Sequence, residues 1–168
     1  EEVTKEQRQQ GKTMNFALLY GMGYKKYRTY SAQSGNILTL SEAKLNHAAF
    51  HRAYPQLKSW HKDCANLVED GWTYSRTATG RRRLLSYDDA SMMVCANNTI
   101  QGAGADILKI SLANLVEKME GDEVRLIACV HDEIVIEAVE EKAEHYKKIL
   151  EQCMKEGGEK ILKEVPVL

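Results

Sequence analysis

Apolar residues recur along most of the chain at the three- and four-residue spacing of amphipathic helices. This spacing predicts a first helix over about Lys5 to Tyr20, closed by glycine. A second helix is predicted to begin at the capping-box sequence Thr39-Leu40-Ser41-Glu42 and to run to Pro55. A third, beyond the proline, is predicted to end near Gly71.

The middle of the chain changes from helical to alternating periodicity. Residues Trp72 to Leu85 alternate around Ala78-Thr79-Gly80, which predicts a short hairpin. A long helix is predicted next, from about Asp89 to Lys118. Within it, Gly102 and Gly104 are expected to let another segment approach closely.

Two apolar strands are predicted in the last third, over Val124–Val130 and Ile134–Ala138. They are joined at a tight turn by a polar tip, His131-Asp132-Glu133. A final helix is predicted over Val139–Glu156, with four residues facing inward: Ala143, Ile149, Leu150 and Cys153. The predicted fold class is therefore α+β and mostly helical.

Composition fits one globular unit of 168 residues, 43% of them hydrophobic and 28% charged. No apolar run approaches the roughly 20 residues that span a bilayer, so no membrane partner is expected. The start has neither a Met nor a signal pattern, which indicates a fragment and gives no sign of secretion. The cysteines form no C-x-x-C pair and are interpreted as buried thiols in a reducing cytoplasm: Cys64, Cys95, Cys129 and Cys153.

The two halves of the chain carry opposite charge. Residues 1–84 hold 14 Lys and Arg against 7 Asp and Glu, whereas residues 85–168 hold 9 against 17. Ten of the twelve aromatic residues also lie in the basic half. Basic and aromatic side chains together are typical of surfaces that bind phosphates and bases, although a solvated basic face has the same composition.

Four residues of the first helix recur at intervals of four and form the α1 stripe: Arg8, Lys12, Phe16 and Tyr20. Each such step advances about 400° around a helix, so the four lie along one slowly spiralling face. Two cations followed by two rings could bind a polyphosphate and then a sugar and base. The alternative is an exposed Arg and Lys beside a buried Phe and Tyr.

The polar tip places carboxylates at the exposed end of two strands, where a divalent metal could be reached by substrate oxygens. An Asp is also common in turns for backbone reasons alone. Because neighbouring strand residues point to opposite faces, Asp132 and Glu133 need not hold the same ion.

Other motifs are weaker. Arg81-Arg82-Arg83 beyond the glycine turn is either a phosphate-binding patch or a solvated turn. His47 and His51 could share a helix face, but Ala48 stands where a zinc protease needs Glu, so solvated histidines are expected. The stretch Gln101–Ala105 lies too far from a strand-to-helix junction to be a dinucleotide loop.

In this order the motifs resemble the C-terminal part of the polymerase domain of family A DNA polymerases. The sequence Arg8-x-x-x-Lys12-x-x-x-Phe16-x-x-x-Tyr20-Gly21 is similar to the fingers-helix motif. Val130-His131-Asp132-Glu133, about 110 residues further on, is similar to the palm motif. Thr79-Gly80-Arg81-Arg82-Arg83 and Asn97-x-x-x-Gln101-Gly102-Ala103 also match. The resemblance covers nearly the whole chain and implies fingers helices and the basic hairpin in 1–84 and part of the palm in 85–168.

The resemblance also implies residue roles. Arg8 and Lys12 would bind the phosphates of an incoming deoxynucleoside triphosphate, and Phe16 would lie against its sugar and base. Tyr20 and Gly21 would shape the pocket beside the templating base. Asn97 and Gln101 would contact the minor-groove edges of primer-template DNA, and His131 would lie near the primer end. Four arginines would contact the backbone phosphates: Arg76, Arg81, Arg82 and Arg83.

The reaction implied is attack of a primer 3′-hydroxyl on the α-phosphorus, assisted by two Mg²⁺ ions. Asp132 would bind metal, with Glu133 supporting the site, and Lys12 and His131 would complete the catalytic set. The family's second metal-binding Asp belongs to a motif resembling D-Y-S-x-x-E, which residues 1–168 do not contain. We therefore expect the isolated fragment to be inactive. The parent polymerase is expected to be a monomer.

Two rival interpretations remain. One is a non-catalytic module that only binds primer-template. The other is a phosphohydrolase using Asp132 and Glu133, which would need a further carboxylate cluster. The chain also departs from the family at Met93, where many relatives carry Arg, so one DNA contact is in question.

Overall fold

A computed structural model describes residues 3–69, 74–86 and 90–167. The chain divides into two compact units, one formed by Glu1–Ser75 with Leu84–Asn97 and the other by Arg76–Arg83 with Asn98–Leu168. Helices dominate both, and the described strands form two small sheets of two strands each. The predicted α+β class is confirmed.

Four helices build most of the first unit: α1 (Lys5–Leu19), α2 (Tyr24–Gln33), α3 (Leu40–Ala53) and α4 (Gln56–Glu69). The predicted helices α1, α3 and α4 are confirmed, while the predicted end of α4 near Gly71 lies outside the described residues. Helix α2 was not predicted. It buries only Tyr27 and Ser31, so the sequence lacks a recurring aliphatic pattern there.

The helix boundaries follow the local signals in the sequence. At Thr39 the hydroxyl accepts a hydrogen bond from the Glu42 amide at 3.2 Å, and the Glu42 carboxylate accepts one from the Thr39 amide at 2.8 Å. This is the predicted capping box. Pro55 then separates α3 from α4, because proline lacks the amide hydrogen that would continue the helix.

The first unit has two apolar clusters. One joins α1, α2 and α3 through five buried residues: Ala17, Leu18, Tyr27, Ala43 and Phe50. The other contains Cys64, Cys95 and Ala96. The prediction of buried cysteines holds for these two and for Cys153, but it is wrong for Cys129, which is exposed on a strand.

The arginine hairpin, residues Tyr74–Leu84, consists of β1 (Tyr74–Arg76) and β2 (Arg82–Leu84), as predicted. Trp72, where the predicted hairpin began, lies outside the described residues, as does Asp89, the predicted start of the long helix. That helix, α5, runs from Met92 to Lys118.

In the second unit, β3 (Val124–Val130) pairs antiparallel with β4 (Glu133–Ala138). A short 3₁₀ turn leads into α6 (Ala143–Ile161). Leu115, Ile134 and Cys153 form the core that joins α5, β4 and α6. The inward prediction for Ala143 is wrong: it is exposed, because it lies in the first turn of α6 ahead of the residues that contact this core.

Candidate functional site

The α1 stripe lies along an open face of its helix. Arg8, Lys12 and Phe16 are exposed and Tyr20 is half-buried, so the alternative of a buried Phe16 is wrong. A groove of about 810 Å³ runs along this face past Asn15. The rings of Phe16 and Tyr20 lie 6.4 Å apart at a tilt of 57°.

Both ends of α1 are fixed by local hydrogen bonds. At the start, Thr4 and Gln7 form a reciprocal capping box. At the end, the amides of Gly21 and Met22 donate to the carbonyl oxygens of Leu18 and Ala17, each at 3.0 Å, which is a Schellman motif.

Gly21 has a backbone conformation that favours glycine, because its φ of +80° lies in the left-handed region. An added Cβ would stand 2.5 Å from the terminal methyl group of Met92, so α5 comes close to this turn. Next to it, His61 Nε2 donates to the carbonyl oxygen of Leu19 at 2.8 Å. The residues around Tyr20 are therefore held by α4 and α5 as well as by α1.

The two cations of the stripe are available to a ligand. Within the described residues, neither Arg8 nor Lys12 has a salt-bridge partner. Two unneutralised cations one turn apart attract a polyphosphate, and Arg8 can bind its oxygens in bidentate fashion. The exposed ring of Phe16 offers an apolar face one turn further along.

The polar tip differs from its prediction in one respect. Glu133 is the first residue of β4 and pairs with Val130, so the turn consists of His131 and Asp132 alone. His131 has φ of +56°, in the left-handed region that tight hairpin turns require. All three tip side chains are exposed, and Glu133 lies on the same solvent-facing side of the hairpin as Val135.

The polar tip does not form a complete metal site by itself. Across the described ranges, no three His, Cys, Asp or Glu side chains are placed to hold a metal ion together. Asp132 nevertheless presents carboxylate oxygens, the ligands that Mg²⁺ prefers, and Mg²⁺ is commonly bound by one or two carboxylates with water and substrate phosphates completing its shell. The donor chemistry of Asp132 fits Mg²⁺.

The arginine hairpin is held to α5 by a buried carboxylate that the sequence analysis missed. Asp106, only 4% exposed, accepts hydrogen bonds from the hydroxyls of Thr77 and Thr79 and from Arg81 Nε at 2.8 Å. Arg81 Nη2 also donates to the Gly102 carbonyl oxygen at 3.2 Å. We call these contacts the Asp106 network. An acidic residue between Ala105 and Ile107, in an otherwise apolar stretch, was the signal available in the sequence.

The Asp106 network keeps its carboxylate ionised. Burial alone would raise the pKa of Asp106, but the hydrogen bonds from Thr77, Thr79 and Arg81, with the Arg81 charge, outweigh it and lower the pKa to about 2. The charge of Arg81 is thus neutralised by Asp106, unlike a cation that is available to bind phosphate. Arg82, Arg83 and Arg76 are exposed, and Arg76 also donates to the Gly80 carbonyl oxygen.

Helix α5 carries the two predicted minor-groove residues. Asn97 is half-buried and ends the first unit, whereas Gln101 is exposed and belongs to the second. The prediction of close approach is confirmed at Gly102, where an added Cβ would collide with the Thr77 methyl group. It is wrong at Gly104, which has open space around it.

The prediction of solvated histidines on α3 is also wrong. His51 is buried and His47 is half-buried, with their rings 4.5 Å apart. Burial first, and the charge of Lys58, lower the pKa of both; His47 and His61 lower that of His51 further. In the described parts of the chain, no helix has the length and apolar character needed to cross a bilayer.

Comparisons with known proteins agree with the motifs. A model of DNA polymerase family A matches residues 1–168. DNA polymerase I of Aquifex aeolicus is 41% identical over 99% of this chain and 29% of its own length, and the thermostable DNA polymerase I of Thermus aquaticus is 28% identical over 88% and 18%.

A solved structure gives the same answer for the fold. The POL domain of Pol1 from M. smegmatis, in complex with DNA primer-template and dNTP, superposes with a TM-score of 0.77. It is 25% identical, and the match covers 93% of this chain and 28% of that one. The chain thus spans less than a third of these relatives. Because the family match runs over its whole length, this chain belongs to DNA polymerase family A.

Proposed function

We propose that the protein carrying this chain performs template-directed DNA synthesis, adding deoxynucleotides to a primer 3′-hydroxyl. The observation that carries the proposal is the α1 stripe, in which two unneutralised cations precede an exposed ring on one fixed helix face. Family membership and the primer-template and dNTP bound by the M. smegmatis relative support it.

The incoming nucleotide would bind along α1. Arg8 and Lys12 would hold its phosphates and neutralise the charge that develops on the departing pyrophosphate. Phe16 would lie against the sugar and base, while Tyr20 and Gly21 would shape the pocket beside the templating base. The Schellman motif and the His61 contact support this assignment, because a nucleotide pocket must be held in one geometry.

The polar tip would serve the primer terminus. Asp132 would hold Mg²⁺, Glu133 would support it, and His131 would lie near the primer end. A bound Mg²⁺ pair would stabilise charge on the attacking and leaving oxygens, with one ion held through a second carboxylate outside this chain. The left-handed backbone of His131 holds Asp132 at the apex of the turn, where substrate oxygens could reach it.

The arginine hairpin and α5 would also bind DNA. Arg76, Arg82 and Arg83 would contact backbone phosphates, and Gln101, with Asn97, would contact the minor-groove edges of the terminal base pairs. Arg81 was predicted to share the phosphate contacts. Its charge is already used by Asp106, so we assign it mainly to holding the hairpin.

We further propose that residues 1–168 alone do not extend primers. Asp132 and Glu133 are the acidic pair of the tip, and the resemblance requires a further Asp from a motif that this stretch lacks. Two metals held by a single tip would have too few fixed ligands for in-line transfer.

Primer extension with Mg²⁺ and deoxynucleotides tests the proposal in the full-length protein that contains this chain. Asp132→Ala should abolish extension while leaving primer-template affinity within about twofold, because the carboxylate holds metal and not DNA. Asp122→Ala is the matched control, since Asp122 is an exposed carboxylate at the opposite end of the same hairpin.

Three results would contradict the proposal in different ways. Equal loss in both variants would remove the metal-binding role from Asp132. DNA binding without extension by the unaltered protein would leave the non-catalytic module as the function. Robust Mg²⁺-dependent extension by residues 1–168 alone would refute the proposed inactivity of the isolated chain.

A further inference from the structure

The arginine hairpin is too small to hold its own position. Each of its strands has three residues, and an isolated two-stranded hairpin is marginally stable in water. Asp106 of α5 binds three alternate residues around the Gly80 turn: Thr77, Thr79 and Arg81. The turn is therefore held at three points by one side chain.

The same contact fixes the hairpin's distance from the helix. Gly102 lies one turn before Asp106, and its missing side chain leaves room for the Thr77 methyl group. Arg81 spans both positions, with Nε on the Asp106 carboxylate and Nη2 on the Gly102 carbonyl oxygen. A planar guanidinium bound at two fixed acceptors has little freedom to slide along the helix.

Gln101 lies directly before this contact on the same helix. It precedes Asp106 by five positions, which is about 7.5 Å along the helix axis. The exposed Arg83 follows Arg81 by two residues. One buried carboxylate thus sets the spacing between a group proposed to touch base edges and a group proposed to touch phosphates.

We propose that Asp106 is a positioning residue: it holds the arginine hairpin in register with Gln101, so that one primer-template is bound at its backbone and at its base edges together. This inference rests on the proposed function. It gives two arginines of the hairpin different roles: Arg81 orients the hairpin, and Arg83 binds the phosphate.

Asp106→Asn in the full-length protein tests this role, because the amide keeps the shape and removes the charge. Glu117→Gln, at an exposed carboxylate on α5, is the matched control. Amide hydrogen exchange of Thr77 and Gly80 in the free protein should become at least about tenfold faster in Asp106→Asn. Extension from bound primer-template should slow at least about tenfold, since misplacement by 1 Å costs up to about 10²-fold.

The affinity for primer-template should change much less than the rate of extension. Asp106→Asn removes a negative charge and keeps every arginine, so the dissociation constant should stay within about twofold of the unaltered protein. A merely structural loss would weaken binding and extension together. Thr79→Val, which deletes one exposed donor and keeps the carboxylate, should give smaller changes in the same directions and covers the case in which Asp106→Asn does not fold.

The outcomes are distinct. Faster exchange with unchanged extension, or a parallel loss of binding and extension, would overturn the positioning role. Unchanged exchange in both variants would overturn the structural premise. Failure of the proposed function is recognised separately, because the unaltered protein would not extend primers or Arg83→Ala would leave the affinity and its salt dependence unchanged.

Discussion

Gly157 of α6 packs against Ser111 of α5 so closely that a single added methyl group has no room. A Cβ at Gly157 would stand 3.0 Å from the Ile107 carbonyl oxygen and 3.2 Å from the Ser111 amide nitrogen, and it would collide with Ser111 Oγ. That hydroxyl already donates to the Ile107 carbonyl oxygen at 2.9 Å. The two helices of the second unit are therefore held together by backbone proximity.

Gly157→Ala should lower the free energy of unfolding by about 1–3 kcal/mol, because backbone atoms of α5 would have to move. Gly104→Ala is the matched control, since Gly104 also lies within a helix but has open space around it. It should raise the free energy of unfolding by up to about 1 kcal/mol through helix propensity alone. Urea unfolding of both variants measures the difference, and equal effects would contradict the close approach.

Lys12→Ala should reduce kcat/KM for nucleotide incorporation at least about tenfold, because a charge-assisted contact to phosphate contributes about 1.5–3 kcal/mol. Lys44→Ala, at an exposed lysine of α3 outside the stripe, should change it less than about twofold. Steady-state incorporation by the full-length protein gives both values. A modest loss of DNA affinity with normal nucleotide use would instead favour a simple binding module.

Phe16→Tyr should increase the use of dideoxynucleotides relative to deoxynucleotides by about tenfold or more. Phe16 is 46% exposed and its ring would face the sugar, so the added hydroxyl could supply a polar group where the 3′-hydroxyl is missing. Competition between the two nucleotides during primer extension measures the ratio. An unchanged ratio, with normal deoxynucleotide incorporation, would place Phe16 away from the sugar.

Local signals in the sequence predicted most elements, because caps, glycines and periodicity act over a few residues. The capping box at Thr39, the glycine after Tyr20 and the spacing of the β3–β4 hairpin are all of this kind. The α1 stripe and the polar tip were singled out in the same way, whereas the roles predicted for Asn97 and Gln101 came only from the resemblance to family A DNA polymerases.

Contacts between distant residues could not be predicted. Asp106 meets Thr77 across 29 positions, and no periodicity marks that pairing. Helix α2 was missed because its sequence has no recurring aliphatic residues. Its Tyr27 is buried by tertiary contacts with residues of α1 and α3. The burial of His51 likewise depends on its neighbours in space, which include His61 of α4.

The burial of His51 predicts a pH dependence of stability. Its Nδ1 is buried with no hydrogen-bond partner, and three groups that can carry positive charge face the ring: His47, Lys58 and His61. Burial first, then these charges, lower its pKa below the ordinary value of about 6.5. The unfolded chain therefore binds this proton more readily than the folded one. The contribution of neutral His51 to the free energy of unfolding is full well above pH 6.5 and is lost as the pH falls below it.

His51→Leu should remove part of this loss, because leucine cannot titrate and leaves no buried polar atom unpaired. The free energy of unfolding, measured from pH 7.5 to pH 5, should fall less steeply in His51→Leu than in the unaltered chain. His145→Gln, at an exposed histidine of α6, should keep the original slope. Identical slopes in the unaltered chain and His51→Leu would show that His51 does not carry the pH dependence, and His47 would then be the next residue to replace.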